Sequence, residues 1–478
     1  MKLLKTVLLS ASVLVSSVVL AQRGPEDFPI LKFADIPGAP KLQKPFLVMG
    51  ETKPVMAEKH GLAGPAFWDW NKDGLKDLLI GEFETTSEKH HGDEGSTIRV
   101  YLNVGTKEAP KFTDEWFYAR DSYGVALEVN QWCCIGFTPQ FVDLDDDGNM
   151  DIITGQYHPG DVYWFRGTRY GYAKGIPVKQ KGNPWASINE MYPGYKDAEH
   201  INTFDYWVYS SANMGDFDGD GDLDLLTGGK YIRISENIGT KKSPEFGYRK
   251  PALDINGKLL RVRTPNEKSK ALPYYNEDYY KKSSGAGKTQ QHVVDWDNDG
   301  ILDILSTDEY VADDYHAVTF FKGVAPENGD MQRFQPGVPL FEAADGSKAF
   351  PGSGQRVYVE DWNNDGVKDL IVGASIVTVD GKFHSKMSWE WERDLGIPAA
   401  GKDYGRTPEQ FEIPTFEEFQ NGFMKDFLKG KTEEQKKASY NQQVSFKKQG
   451  LEKLKKAGVP EAVNMLHKGY IYVFLGKK

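Results

Sequence analysis

Short apolar runs recur along this chain in pairs, and each pair brackets a polar nine-residue segment of one design. PAFW (65–68) precedes DWNKDGLKD (69–77), and LLIG (78–81) follows it. The same order returns as PQFV, DLDDDGNMD (143–151) and IITG, and again with DFDGDGDLD (216–224) ahead of LLTG. It returns twice more, as QHVV, DWDNDGILD (295–303) and ILST, then as RVYVE, DWNNDGVKD (361–369) and LIVG. Successive starts lie 74, 73, 79 and 66 residues apart. Alternating β-branched and aromatic residues on both sides of an Asp/Gly break predict two strands joined as a hairpin.

A third strand follows each hairpin. STIRVYLNVGTKEAPKF (96–112) and KYIRISENIGTKKSPEF (230–246) share I-R, N-x-G-T-K and P-x-F at equal offsets, and DVYWFRG, AVTFFKG and YIYVFLG are shorter versions. With a fourth strand after the turn, the unit is a propeller blade, and radial repetition is how such sheets protect their edges. The expected fold is all-β, a propeller of four-stranded blades. Five blades are favoured, with six or seven as the alternative if degenerate units hide in the long inserts. The last unit has its third strand at the C-terminal end, so a strand within 39–55 is expected to complete it and close the ring. Residues 377–469 interrupt this unit, and the Lys/Glu/Gln-rich part with spaced Phe, Met and Leu is expected to be helical.

Each nine-residue loop carries oxygen-bearing side chains at positions 1, 3, 5 and 9 and Gly at position 6. These are Asp69, Asn71, Asp73 and Asp77; Asp143, Asp145, Asp147 and Asp151; Asp216, Asp218, Asp220 and Asp224; Asp295, Asp297, Asp299 and Asp303; and Asp361, Asn363, Asp365 and Asp369. Alternate spacing in a tight turn aims these groups at one centre, and an oxygen-only shell selects Ca²⁺. About five structural Ca²⁺ ions are expected, since like charges so close together repel. An EF-hand needs Glu at position 12 between helices; here that position holds Ile80, Thr154, Thr227, Ser306 and Val372 between strands.

The D-F/W-D-x-D-G-x-x-D-L-L motif followed by a V-Y-x-N strand resembles the FG-GAP/VCBS repeat of integrin-type and bacterial secreted propellers. The resemblance covers roughly residues 60–376 and the final strand. It implies a calcium-binding propeller; relatives include adhesion modules, carbohydrate-binding propellers and domains attached to polysaccharide-cleaving enzymes. Fold alone assigns no reaction.

Lys2 and Lys5 ahead of an apolar run ending in small residues at Ala21 read as a signal peptide over 1–21, leaving 22–478 as one propeller domain that is secreted or periplasmic, with no stable membrane span. The net charge of −11 argues against a nucleic-acid partner. The expected partner is a carbohydrate or an extracellular protein, with a polysaccharide lyase or hydrolase as the alternative. The long inserts collect on the face opposite the acidic loops, so ligand-binding candidates there are Glu82, Trp132, Cys133, Cys134, Tyr157, His158, His200, His292 and Glu309. Cys133 and Cys134 are either a strained vicinal disulfide or two buried thiols.

Overall fold

The computed structural model describes residues 28–57, 61–83, 95–130, 136–156, 160–181, 211–229, 232–262, 289–308, 318–350, 352–379, 382–384, 413–456 and 465–478, apart from positions 328, 347, 348, 423, 426, 427 and 429. The expected signal segment, residues 1–21, lies outside them. Among the described residues no helix is long and apolar enough to cross a membrane.

Five four-stranded antiparallel blades are arranged as a propeller. Blade 1 runs from its inner strand Gly64–Trp68 through Asp77–Gly81 and Ile98–Tyr101 to Phe117–Tyr118. Blade 2 is Gln140–Val142, Asp151–Gly155, Val162–Phe165 and Ile176–Pro177, and blade 3 is Ala212–Gly215, Asp224–Thr227, Arg233–Ser235 and Lys250–Pro251. Blade 4 is Thr289–Val294, Asp303–Asp308, Thr319–Phe321 and Val338–Pro339. Blade 5 takes Ser353–Glu360, Asp369–Val379 and Met465–Phe474 from the C-terminal part of the chain, and its outer strand, Phe46–Leu47, from the N-terminal part.

Every acidic loop occupies the same place in its blade. The residue before position 1 pairs with position 9 across the hairpin: Trp68 with Asp77, Val142 with Asp151, Gly215 with Asp224, Val294 with Asp303, and Glu360 with Asp369. This fixed register follows from the period of two along each strand, because a slip of one residue would turn the apolar face outward.

The core lies between blades, where apolar side chains of one sheet meet those of the next. Phe67 of blade 1 stacks on Trp362 of blade 5, with centroids 4.6 Å apart, and Trp68 stacks on Phe141 of blade 2 at 4.8 Å. Close approach of backbones explains the glycine four residues beyond the last Asp of the acidic loop in several blades. A Cβ on Gly81, Gly228 or Gly373 would stand 1.8, 2.1 or 1.9 Å from the carbonyl oxygen of Phe137, Thr289 or Ala63 in the following blade. Blade 4 has Thr307 at the corresponding position, and its hydroxyl donates to the Gln355 carbonyl of blade 5.

In the insertion of blade 5, Thr415 caps the helix Phe416–Asn421 in a reciprocal arrangement with Glu418. Tyr440 of the long helix Glu433–Lys456 packs on Phe416 and Phe419, with centroids 5.3 and 5.5 Å away, and its hydroxyl donates to the Pro414 carbonyl at 2.8 Å.

Candidate functional site

The acidic loops are built by their own carboxylates. Position 1 accepts from the N–H groups that complete the turn: Asp69 from Asp73 and Gly74, at 3.1 and 2.9 Å, and Asp361 from Asp365 and Gly366, at 3.0 and 2.9 Å. Asp143 and Asp295 do the same in blades 2 and 4, and in blade 3 Asp216 accepts from the N–H groups of Gly219 and Gly221, at 2.7 and 3.0 Å. Position 4 is forced to positive φ, which suits Asn, Asp and Gly; it holds Asp146, Gly219, Asn298 and Asn364, but in blade 1 it holds Lys72 at φ 61°.

Position 9 has a second task. Asp77 accepts from Trp70 N–H at 2.9 Å through one oxygen and from Asn103 N–H at 2.8 Å through the other. Asp151, Asp224, Asp303 and Asp369 repeat this, joining the N–H of position 2 to that of Gly167, Asn237, Gly323 and Gly476 beyond the third strand. All five are buried, and desolvation pushes each carboxyl above its ordinary range, to about 6 for Asp151, Asp303 and Asp369 and about 7 for Asp224.

In three loops the carboxylates converge. Oxygens of Asp143, Asp145 and Asp151, of Asp216, Asp218 and Asp224, and of Asp295, Asp297 and Asp299 lie within 4.8 Å of one another. These clusters can hold a metal ion, and the donor set is hard and oxygen-only. One oxygen of Asp145 and one of Asp297 is buried without a hydrogen-bond partner. In the blade 3 loop Asp218 and Asp222 are raised first by burial and then by neighbouring carboxylates, Asp220 foremost in the case of Asp222. In the loops of blades 1 and 5 an amide stands at position 3, and Asn71 and Asn363 donate to Asp73 and Asp365 at 2.9 and 3.1 Å.

A cleft of about 490 Å³ opens on the acidic-loop face between blades 1 and 2. Trp68, Asp69, Trp70 and Lys72 form one wall; Gly148, Asn149 and Met150 of the next loop, with the hairpin residues Gly167, Thr168, Gly171 and Tyr172, form the other; Arg120 stands between. Trp70 lies nearly parallel to Tyr172, with centroids 5.4 Å apart. The turn after Arg120 is held against the hairpin by Ser122, whose N–H and hydroxyl both donate to the Tyr172 carbonyl at 2.9 Å. At the tips of these two turns Tyr123 is 89% and Tyr170 73% exposed, and Arg169 lies over the Tyr170 ring. The Arg120 guanidinium is steadied by the Gly124 carbonyl at 2.7 Å. Asp69 is already engaged by its own loop, whereas neither Lys72 nor Arg120 forms an ion pair with a described residue.

Of the ligand candidates read from the sequence, Trp132, Cys133, Cys134, Tyr157, His158, His200 and Glu309 lie outside the described residues. The other two, Glu82 and His292, are described. Glu82 is fully buried and forms an ion pair with Arg99, which also lies over Trp116. His292 sits at the axis, its Nδ1 3.0 Å from Gln140 Oε1 of blade 2 and its ring 4.7 Å from that of Tyr358 in blade 5. Desolvation lowers its pKa to about 3. The cleft escaped the sequence reading, although the spacing Trp68-Asp69-Trp70 and the lysine at position 4 were visible signals. No motif connected them to the hairpin of residues 167–172, nearly 100 positions away.

No protein-family model matches the chain, and no curated protein matches it. Solved structures of similar arrangement include an Agrocybe aegerita lectin described as recognising non-reducing terminal N-acetylglucosamine, with 16% identity, 68% of this chain and 64% of that one covered, and a TM-score of 0.29. Another is a β-fructofuranosidase of Schwanniomyces occidentalis complexed with fructosyl-erythritol, with 9% identity, 70% and 55% covered, and a TM-score of 0.32. The chain thus spans less than two thirds of either protein. At these levels neither likeness says what this chain binds.

Proposed function

We propose that this protein is a secreted, calcium-stabilised propeller that binds carbohydrate, and that the cleft between blades 1 and 2 receives the sugar. The observation that carries this is the cleft wall. Trp68, Trp70 and Tyr172 provide aromatic surface beside polar backbone and the Thr168 hydroxyl, a combination suited to the apolar face and hydroxyl edge of a pyranose. Its volume of about 490 Å³ lies within the range of small-ligand sites.

Charge narrows the class. In a chain of net charge −11, two cations that form no ion pair with a described residue stand at this one cleft. One of them, Lys72, holds a left-handed backbone conformation that costs a non-glycine residue roughly 1–2 kcal/mol. A saccharide carrying carboxylate or sulfate is therefore favoured over a neutral one, and the preference weakens with salt.

Titration of the purified protein with neutral, uronate-containing and sulfated oligosaccharides tests this. Binding of an acidic oligosaccharide is expected to fall at least tenfold in Trp70→Ala and severalfold in Lys72→Asn, while both variants keep the parent's melting temperature within a few degrees. Unchanged affinity in Trp70→Ala refutes the cleft assignment. Cleavage products from any of these substrates would show an enzyme instead of a binding module.

A further inference from the structure

We infer that two of the five acidic loops are not calcium sites, because the chain supplies their counter-ion itself: Arg166 in blade 2 and Lys322 in blade 4 occupy the positions an ion would take. The inference rests on the calcium reading of the remaining loops.

The register makes the comparison strict. In each blade the residue after the third strand donates its N–H to the position 9 carboxylate: Asn103, Gly167, Asn237, Gly323 and Gly476. The residue just before that donor therefore stands at one structurally equivalent place in all five blades. It is Leu102 in blade 1, Arg166 in blade 2, Glu236 in blade 3, Lys322 in blade 4 and Leu475 in blade 5. From this place Arg166 reaches Asp145 through Nε at 2.5 Å and Asp147 through Nη2 at 2.9 Å. Lys322 Nζ bonds both Asp297 and Asp299, again positions 3 and 5 of the loop.

The carboxylates so paired are deep: Asp145 is 4% and Asp297 5% exposed, and a carboxylate buried to that degree requires a counter-charge. A tethered cation and a divalent ion at the same carboxylates exclude one another by like-charge repulsion. Where the third strand ends in Leu102 or Leu475 it offers no charge at all, and the loop carries an amide at position 3. In blade 3 the equivalent residue, Glu236, is acidic and supplies no counter-charge. The five loops thus fall into two kinds, self-neutralised in blades 2 and 4 and open to an ion in blades 1, 3 and 5. The expectation of about five Ca²⁺ becomes three.

Native mass spectrometry and equilibrium dialysis of the chelator-stripped mature chain, reloaded with CaCl₂, count the ions. The wild type is expected to take three, Lys322→Met and Arg166→Met four each, and the double variant five. Asp220→Asn is expected to lower the wild-type count by one and Asp299→Asn to leave it unchanged. A wild type that takes five ions overturns the inference and leaves the calcium reading intact. No gain in either methionine variant overturns it as well, and no ion in any protein overturns both. Should a methionine variant fail to fold, the wild-type count and the two asparagine variants still decide.

Discussion

Replacing Asp369 by alanine isolates what the position 9 carboxylates do. Asp369 accepts from Trp362 N–H at 2.8 Å and from Gly476 N–H at 2.6 Å, so one side chain ties the acidic loop to the end of the C-terminal strand. Alanine leaves two N–H donors without their acceptor, at about 1–3 kcal/mol each where water cannot replace it. Part of this is returned, because the carboxylate is costly to bury, as its pKa of about 6 records. A net loss of about 2–4 kcal/mol is expected. Asparagine, which keeps one acceptor and sheds the charge, should lose about half as much. Urea unfolding followed by circular dichroism reads the loss as a lower midpoint at unchanged slope. The deciding comparison is between calcium-loaded and EDTA-treated protein. A hydrogen-bonding staple costs the same in both when it is removed, whereas a residue serving only as a metal ligand costs nothing once the metal is gone. If the Asp369→Ala deficit falls below about 0.5 kcal/mol in EDTA, less than a typical net hydrogen bond, the staple argument is refuted.

Two further outcomes follow from burial and packing. His292 is held neutral, with its pKa lowered to about 3 from 6.5, so its contribution is present above pH 6.5 and lost as pH falls towards 3. His292→Gln should therefore flatten the acid side of the stability profile by up to ~1.4 kcal/mol per pH unit between pH 6 and 4, and an unchanged slope in urea titrations would contradict this. Gly373→Ala places a methyl 1.9 Å from the Ala63 carbonyl oxygen and should cost about 3 kcal/mol by forcing blades 5 and 1 apart, while Gly247→Ala, whose nearest contact is 3.4 Å, should cost under 1; equal melting temperatures for the two would refute the close-approach argument.

What the sequence made legible was the part of the fold written in local alternation. Each hairpin around its acidic loop, the third strand and the turn after it are short-range patterns, so strands such as Asp151–Gly155 and Arg233–Ser235 occur where the apolar runs stand. Relations across the ring were not legible. His292 and Gln140 are 152 residues apart and meet only because their inner strands face one axis. Arg166 and Lys322 lie beyond third strands whose lengths and entry loops differ, so their aim at positions 3 and 5 depended on hydrogen-bonded register. Of the expected ligand face only Glu82 and His292 are described, and both are engaged by protein partners; the aromatic cleft lies among the acidic loops, where the sequence reading looked only for metal.

The acidic loops also bear on the cleft. Trp70 and Lys72, positions 2 and 4 of the first loop, line one wall, and Gly148, Asn149 and Met150, positions 6 to 8 of the second, line the other. Trp70 is set by its N–H bond to Asp77, and Lys72 by the turn that Asp69 closes. The second loop is locked by Arg166, which belongs to the chain and is always present. The first has Leu102 at the corresponding place and no such lock. One wall is thus fixed by a covalently tethered charge, while the wall that carries Trp70 and Lys72 depends on whatever neutralises Asp69, Asp73 and Asp77. An ion in that loop would order the two side chains on which the proposed recognition of an acidic sugar rests, through the same backbone that the position 9 carboxylate anchors.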